Sequence, residues 1–397
     1  MHSVKDKILS LTEEFYNEIV AFRRHLHQHP ELSFQEYKTA DFIEKKLREH
    51  GFLPERMANT GLVILIEGKN PEKKTIALRA DIDALPIKEQ NNCDYTSVND
   101  GIMHACGHDV HSASLFGAML ILKELKNSFE GTVKCIFQPG EEKLPGGASI
   151  MIKEGVLKNP DVSEIVGQHV FPELEAGKVG FKPGMYMASC DEIYITVKGK
   201  GGHGAMPHQN IDPIATAAQI ITGLQQIVSR KANPIVPTVL SIGKIIGEGA
   251  TNVIPDEVYM EGTFRTLNEE WRATAHQLIK ETCENIAKSF GATCDVRIEK
   301  GYPYLENNEP LTHDLKEAAI AFLGEENVVD LPVRMTGEDF AYYSQHIPAC
   351  FYRLGVRNED KGIIYPVHNP KFNIDEQALK TGVSLMAWNA FWLLKGV

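Results

Sequence analysis

The chain has 397 residues, 43% of them apolar, and a formal net charge of −12. That length supports about two or three domains, and the apolar share is ordinary for a globular protein. An acidic balance with no basic block argues against a nucleic-acid partner, and no apolar run reaches the roughly 18 residues that a membrane span needs.

Ile8, Leu11, Phe15, Ile19 and Phe22 recur at helical spacing, which predicts an amphipathic helix rather than a signal peptide. A cytoplasmic location is the expectation that follows. Residues 61–67 and 75–78 then read as buried strands, 110–125 as a helix, 133–137 as a strand, 147–154 as a helix and 165–169 as a strand. This alternation predicts an α/β domain with a mostly parallel sheet. In such sheets functional groups collect at the carboxyl ends of strands. Arg79-Ala80-Asp81-Ile82-Asp83, Gln138-Pro139-Gly140-Glu141-Glu142 and Gln168-His169 each follow a strand candidate, as a shared site requires.

The middle of the chain reads differently. Residues 191–197 alternate as a half-exposed strand, 213–228 form a helix, 238–244 and 257–264 strands, 269–289 a long helix and 293–298 a last strand. The order β-α-β-β-α-β predicts a ferredoxin-like unit. Lys182-Pro183-Gly184 and Gly301-Tyr302-Pro303 bracket it as hinges. Residues 311–323 and 376–394 return to helix, with a strand near 349–354. The expected organisation is a small α+β domain, residues 186–301, inserted into a discontinuous α/β domain made of residues 1–185 and 302–397. The cysteines at 93, 106, 135, 190, 283, 294 and 350 are too sparse for a disulfide framework.

The densest chemistry lies in Met103-His104-Ala105-Cys106-Gly107-His108-Asp109-Val110-His111. Cys106 and His108, two apart, can face one point, and thiolate and imidazole both suit zinc and similar divalent ions. The spacing is not that of a zinc finger, so a partly open catalytic site fits better. His104 and His111 rank lower as ligands, and Asp109 is expected to support a ligating imidazole from behind. Glu141 and Glu142, adjacent in extended chain, are expected to point opposite ways, one to a metal and the other to a water whose proton it takes. Alone, such a pair is most often a solvated acidic loop; its setting after Phe137-Gln138-Pro139-Gly140 raises the functional reading. His169 at the end of an apolar strand, and His368 in Tyr365-Pro366-Val367-His368-Asn369-Pro370, become ligand candidates through the company they keep. In the middle region, the glycine-rich run 199–208 lacks the ending of a phosphate loop and better presents His203 to a substrate. Arg265 ends a strand and can hold a carboxylate in bidentate fashion, or pair with a neighbouring acid on the surface.

These residues, in this order, resemble metallopeptidase family twenty, in particular its amidohydrolase branch of hippurate hydrolases, N-acyl-amino-acid amidohydrolases and auxin-conjugate hydrolases. Arg24-His25-Leu26-His27-Gln28-His29-Pro30-Glu31-Leu32, Arg79 to Pro86, Thr336-Gly337-Glu338-Asp339-Phe340 and the motifs above carry the resemblance across nearly the whole chain. It implies a site for two divalent ions, of zinc, manganese, cobalt or nickel. Cys106 matches the bridging ligand, His108 and His169 complete one metal, and Glu142 and His368 the other. Glu141 matches the general base. The resemblance also implies a homodimer through the small lid domain, with His203 reaching a second copy's site to stabilise the oxyanion. Asn252 and Arg265 match positions that contact the substrate's carboxylate or oxyanion.

Lys143-Leu144-Pro145 after the Glu pair, and the loop before His368, depart from the common pattern. Both flank the expected pocket and bear on specificity. The expected function is hydrolysis of a small N-acyl amino acid to a carboxylic acid and a free amino acid. The alternatives are a dipeptidase or carboxypeptidase with the same chemistry, and a binding module that kept the fold without turnover, against which the intact Glu pair and ligand set argue. A redox role for Cys106 suffers from the lack of a nearby resolving cysteine.

Overall fold

A computed structural model describes residues 2–394. Strands Thr75–Asp81 and Thr132–Gln138 are buried at every position, which is why they read as continuous apolar runs rather than alternating ones. They sit inside an eight-stranded sheet ordered Glu55–Met57, Gly61–Glu67, Thr132–Gln138, Thr75–Asp81, Glu164–Glu175, Ala349–Arg357, Val179–Phe181, Val328–Asp330. The central pairings, from Thr132–Gln138 across to Ala349–Arg357, are parallel. Antiparallel pairings appear towards both edges. The protein is thus α/β with a mostly parallel central sheet.

Helix His108–Glu124 is buried from His108 through Leu122. It packs against strand Thr75–Asp81 of the sheet and against the helices His2–Gln28 and Ala378–Leu394. A helix apolar all round belongs in such an interior position. Phe22 stacks on Phe116, with ring centroids 4.3 Å apart, and fixes the first helix against it. Among the described residues no helix is long and apolar enough to cross a membrane.

The strand holding His169 runs on to Glu175 instead of stopping at the histidine. Its parallel partner Ala349–Arg357 extends with it, pairing Arg353 with His169 and Arg357 with Glu175. That length is set by pairing between segments far apart in sequence, which local pattern does not record.

The described chain divides into two units. The first comprises residues 2–184, 306–332 and 339–394, and holds the sheet just described. The second comprises residues 185–305 and 333–338. It has four antiparallel strands ordered Thr238–Ile246, Glu257–Thr266, Asp191–Lys198, Thr293–Lys300. Helices Pro213–Gln226 and Glu269–Ser289 pack on each other over a core that includes Ile193, Ile195, Val258 and Ile279. Asp212 caps the first helix by accepting from the backbone N–H of Ile214 and Ala215, and Asn268 caps the second by accepting from Trp271 N–H. Residues 333–338 join this unit through backbone bonds from Arg334 N–H to Tyr186 O and from Ala188 N–H to Thr336 O.

Candidate metal centre

Gly107 separates Cys106 from His108 and opens the buried helix. Its φ of +81° is a left-handed conformation, and a Cβ there would meet Val170 Cγ2 at 2.5 Å. Glycine is therefore required both for the turn and for the close approach. Cys106, His108 and His169 are all buried. Cys106 Sγ lies 3.4 Å from His169 Nε2. His169 Nδ1–H donates to Val170 O at 2.7 Å, which leaves Nε2 with its lone pair free to ligate. His108 Nδ1 donates to Asp83 Oδ1 at 3.1 Å. His108 Nε2 is buried and has no hydrogen-bond partner.

The loop bearing the two glutamates is held at three points. Glu36, itself buried, accepts from Gly140 N–H at 2.9 Å. Gly147 N–H donates to Gly140 O at 3.1 Å. Glu142 N–H donates to Asp83 Oδ2 at 2.9 Å. The loop forms a turn rather than an extended strand. The expectation that the carboxylates point opposite ways does not hold for that reason: Glu141 Oε2 and Glu142 Oε1 both lie 4.0 Å from His108 Nε2. Glu141 is the more buried and accepts from Asp339 N–H at 3.3 Å. Glu142 Oε1 lies 3.2 Å from His368 Nε2, yet it is buried and makes no hydrogen bond. His368 has φ +62°, a left-handed conformation uncommon for a residue with a Cβ, and its N–H is held by Ala105 O at 2.8 Å.

The ligand atoms of Cys106, His108 and His169 lie within 4.8 Å of one another, and so do those of Cys106, Glu142 and His368. Cys106 belongs to both groups. Buried polar atoms are almost always satisfied, so His108 Nε2 and Glu142 Oε1, orphaned side by side, mark a place built for a cation. The electrostatics agree. Burial pushes His108 down, but the carboxylates of Asp81, Asp83 and Glu142 outweigh it and lift the imidazole to about 10. Burial, with the charges of Glu142, Glu141 and Asp81, pushes the Cys106 thiol well above its ordinary range. The same surroundings that oppose a lone thiolate favour one neutralised by a divalent ion. A thiolate, imidazoles and a carboxylate are donors that fit zinc, manganese, cobalt or nickel.

Of the two lower-ranked histidines, neither groups with Cys106, and His111 groups only with Asp81 and His108. His111 Nδ1–H donates to Asp81 Oδ1 at 2.6 Å, and its Nε2 accepts from Val170 N–H at 2.8 Å. Both ring nitrogens are consumed. His104 is buried, and burial pushes it down to about 4. Asp109 does not stand behind a ligating imidazole as expected. It faces Arg23 Nε at 2.6 Å and His27 Nδ1 at 2.9 Å. Asp83 takes the expected place behind His108. Sequence reading marked residues 79–83 as following a strand but gave Asp83 no role.

In the second unit, His203 pairs with Val253 in a short ribbon, and Asn252 O accepts from Gly204 N–H at 2.8 Å. The ribbon thus brings His203 and Asn252 side by side, both exposed. His203 Nδ1 accepts from Ala205 N–H at 3.0 Å, which puts the neutral ring's proton on Nε2 as a donor. Arg265 lies apart on strand Glu257–Thr266, half-buried, with Nη1 donating to Met335 O at 3.2 Å.

Residues 77–388 match the pattern of Peptidase family M20/M25/M40. The chain belongs to this family. The matched span contains every ligand candidate, Glu141 and the three residues of the second unit. An N-acyl-L-amino acid amidohydrolase of Geobacillus stearothermophilus is 44% identical over 299 residues, covering 75% of this chain and 80% of that protein. An N-acetyl-L-cysteine deacetylase of Bacillus subtilis strain 168 is 42% identical over 381 residues, covering 94% of this chain and 89% of that protein. A solved Bacillus subtilis structure, a dinuclear metal-binding peptidase of the M20 family, superposes with a TM-score of 0.83 at 37% identity, covering 97% of this chain and all 100% of that one.

Proposed function

We propose that this chain is a metal-dependent amidohydrolase that cleaves N-acyl amino acids to a carboxylic acid and a free amino acid. One observation carries the reading: two donor groups share Cys106 and leave buried ligand atoms without hydrogen bonds. Cys106, His108 and His169 would hold one ion, and Cys106, Glu142 and His368 the other. Bound divalent ions supply Lewis acidity, polarising the amide carbonyl and lowering the pKa of water. Glu141 takes the water's proton as the C–O bond forms, and returns it to the nitrogen as the C–N bond breaks. His203 Nε2–H is the donor to the developing oxyanion, acting from a second copy of the chain. Asn252 and Arg265 hold the substrate's carboxylate. The names of the two enzyme relatives support an N-acyl amino acid as substrate.

The second unit serves, on this reading, as a ferredoxin-like lid through which two copies associate in the cytoplasm. Its edge strand Thr238–Ile246 supports that role, because Ile245 is 52% exposed and Ile246 39%. Exposed apolar edge strands are natural pairing surfaces. A monomer in sedimentation equilibrium at micromolar concentration would remove the dimer from the reading.

The solved peptidase relative favours one alternative, cleavage of dipeptides or of C-terminal residues by the same residues. Metal-reconstituted protein, with and without chelator, is to be assayed on N-acetyl, N-benzoyl and indoleacetyl amino acids beside plain dipeptides. Chelator-sensitive release from the acylated set is expected. Turnover of the dipeptides alone would move the protein to the peptidase side.

A further inference from the structure

We propose that Arg79 and the two carboxylates it holds form a buried mount with two separate arms behind the metal centre, Asp339 aiming the general base and Asp81 steadying a ligating imidazole. The inference rests on the assignments of Glu141 and His169 given above. Arg79 is fully buried at the end of a central strand. Burying a guanidinium costs several kcal/mol unless its donors are matched. Here Nε donates to Gln138 Oε1 at 2.9 Å, Nη1 to Asp81 Oδ2 at 2.6 Å and Nη2 to Asp339 Oδ1 at 2.7 Å. Asp81 and Asp339 are themselves fully buried.

From each carboxylate a hydrogen-bonded path leads to the site. Asp339 also accepts from Gln138 Nε2, at 2.9 and 2.8 Å, and from Ala148 N–H at 3.0 Å. Its side chain is therefore fixed on all sides, and its own N–H donates to Glu141 Oε1. Asp81 accepts from His111, His111 accepts from Val170 N–H, and Val170 O accepts from His169 Nδ1–H. One cation thus spans the carboxylate that leads to the base and the carboxylate that leads to the metal ligand. Buried ion pairs in general add little stability over apolar packing. What the charged trio adds is direction, because the planar guanidinium fork admits one arrangement of its acceptors.

The two arms separate by experiment, using the full-length protein loaded with cobalt(II). In Asp339→Asn, the new amide group meets donors from Gln138 and Ala148, so the side chain must turn and carry its backbone N–H off Glu141. A misplacement of this kind costs roughly 100-fold in kcat, with KM and the cobalt absorption spectrum as in wild type. In His111→Asn, the donation to Asp81 is kept and the contact to Val170 is lost. Cobalt affinity should fall at least about tenfold, with a shifted spectrum. Wild-type kcat in Asp339→Asn, or wild-type cobalt affinity in His111→Asn, overturns the mount. A loss of kcat in Asp339→Asn that arrives with a changed cobalt spectrum also overturns it, because the arm would then be general scaffolding. Should Asp339→Asn not fold, Gln138→Glu replaces it, setting a like charge against Asp339 and giving the same expected split. If wild-type protein binds two cobalt ions yet hydrolyses no amide, the proposed function fails, and the cobalt affinity of His111→Asn then decides the mount alone.

Discussion

Asp83→Asn tests the metal centre through a single proton. Asp83 Oδ2 accepts from Ser33 Oγ–H at 2.7 Å and from Glu142 N–H at 2.9 Å, while Oδ1 accepts from His108 Nδ1–H. Asparagine has one carbonyl oxygen for these three donors. Two of them meet at the Oδ2 position, so the oxygen settles there and the amide NH2 turns to His108. His108 Nδ1 must then accept, which moves the ring proton to Nε2, the nitrogen that would hold the metal. In metal-free protein, where the Asp83 carboxylate helps keep His108 protonated, the substitution should cost about 3–5 kcal/mol of fold stability, as breaking a buried ion pair does. Metal affinity should fall about 10- to 100-fold, equivalent to about 1.4–2.8 kcal/mol. Competition against a chromophoric chelator measures the affinity, and thermal unfolding in excess chelator measures the fold. Wild-type metal affinity in a folded Asp83→Asn protein would refute the tautomer argument.

Glu141→Gln should keep both metals, since the amide still accepts from Asp339 N–H, while kcat falls about 10²- to 10⁴-fold; near-wild-type turnover would remove Glu141 from the mechanism. Cys106→Ala should lower the metal stoichiometry measured by elemental analysis, because both donor groups use the thiol; two tightly bound ions in that variant would end the bridging assignment. Asp191 offers a pH test away from the metals. Burial pushes its carboxyl up, but His276 and Arg272 outweigh that and hold it below its ordinary value. A depressed folded pKa contributes stability that is complete above the unfolded value, about 3.9, and is lost as pH falls through the folded one. Asp191→Asn should therefore cost about 3–5 kcal/mol at pH 7, as breaking a buried ion pair does, and its deficit should shrink below pH 4. A deficit independent of pH from 6 to 3 in urea unfolding would contradict this.

Periodicity made the central strands and long helices legible. A buried parallel strand has to be apolar on both faces, and an inward helix must be apolar all round. The five ligand candidates, Cys106, His108, Glu142, His169 and His368, were legible as metal-ligating residue types, and their ligand atoms come together in two groups. What supports them was not. Asp109 follows His108 in sequence and looked like its natural support, but one residue along a helix is about 100° around it, and Asp109 faces Arg23 and His27 instead. Asp339 stabilises the Glu141 loop from 198 positions away in the chain, a separation that no local pattern encodes. The attachment of residues 333–338 to the second unit is hidden for the same reason, since backbone bonds such as Ala188 N–H to Thr336 O have no side-chain signature.

His108 and His111 show how closely a candidate ligand and a scaffold residue can resemble each other. They sit three apart on one helix face, with ring centroids 5.5 Å apart. Asp81, the last residue of a strand, and Asp83, two residues on, oppose them, so each imidazole finds its own carboxylate. Up to that point the two residues are equivalent. The distinction lies in the second ring nitrogen. That of His111 receives the Val170 N–H and is spent within the fold, whereas that of His108 is buried against Glu141 and Glu142 with no donor to receive. A histidine whose Nδ1 is fixed by a carboxylate and whose Nε2 is buried without a donor is stable only with a proton or a metal on that nitrogen. With Cys106 and His169 beside it, the proposed divalent ion would meet two further donors, which a proton does not use.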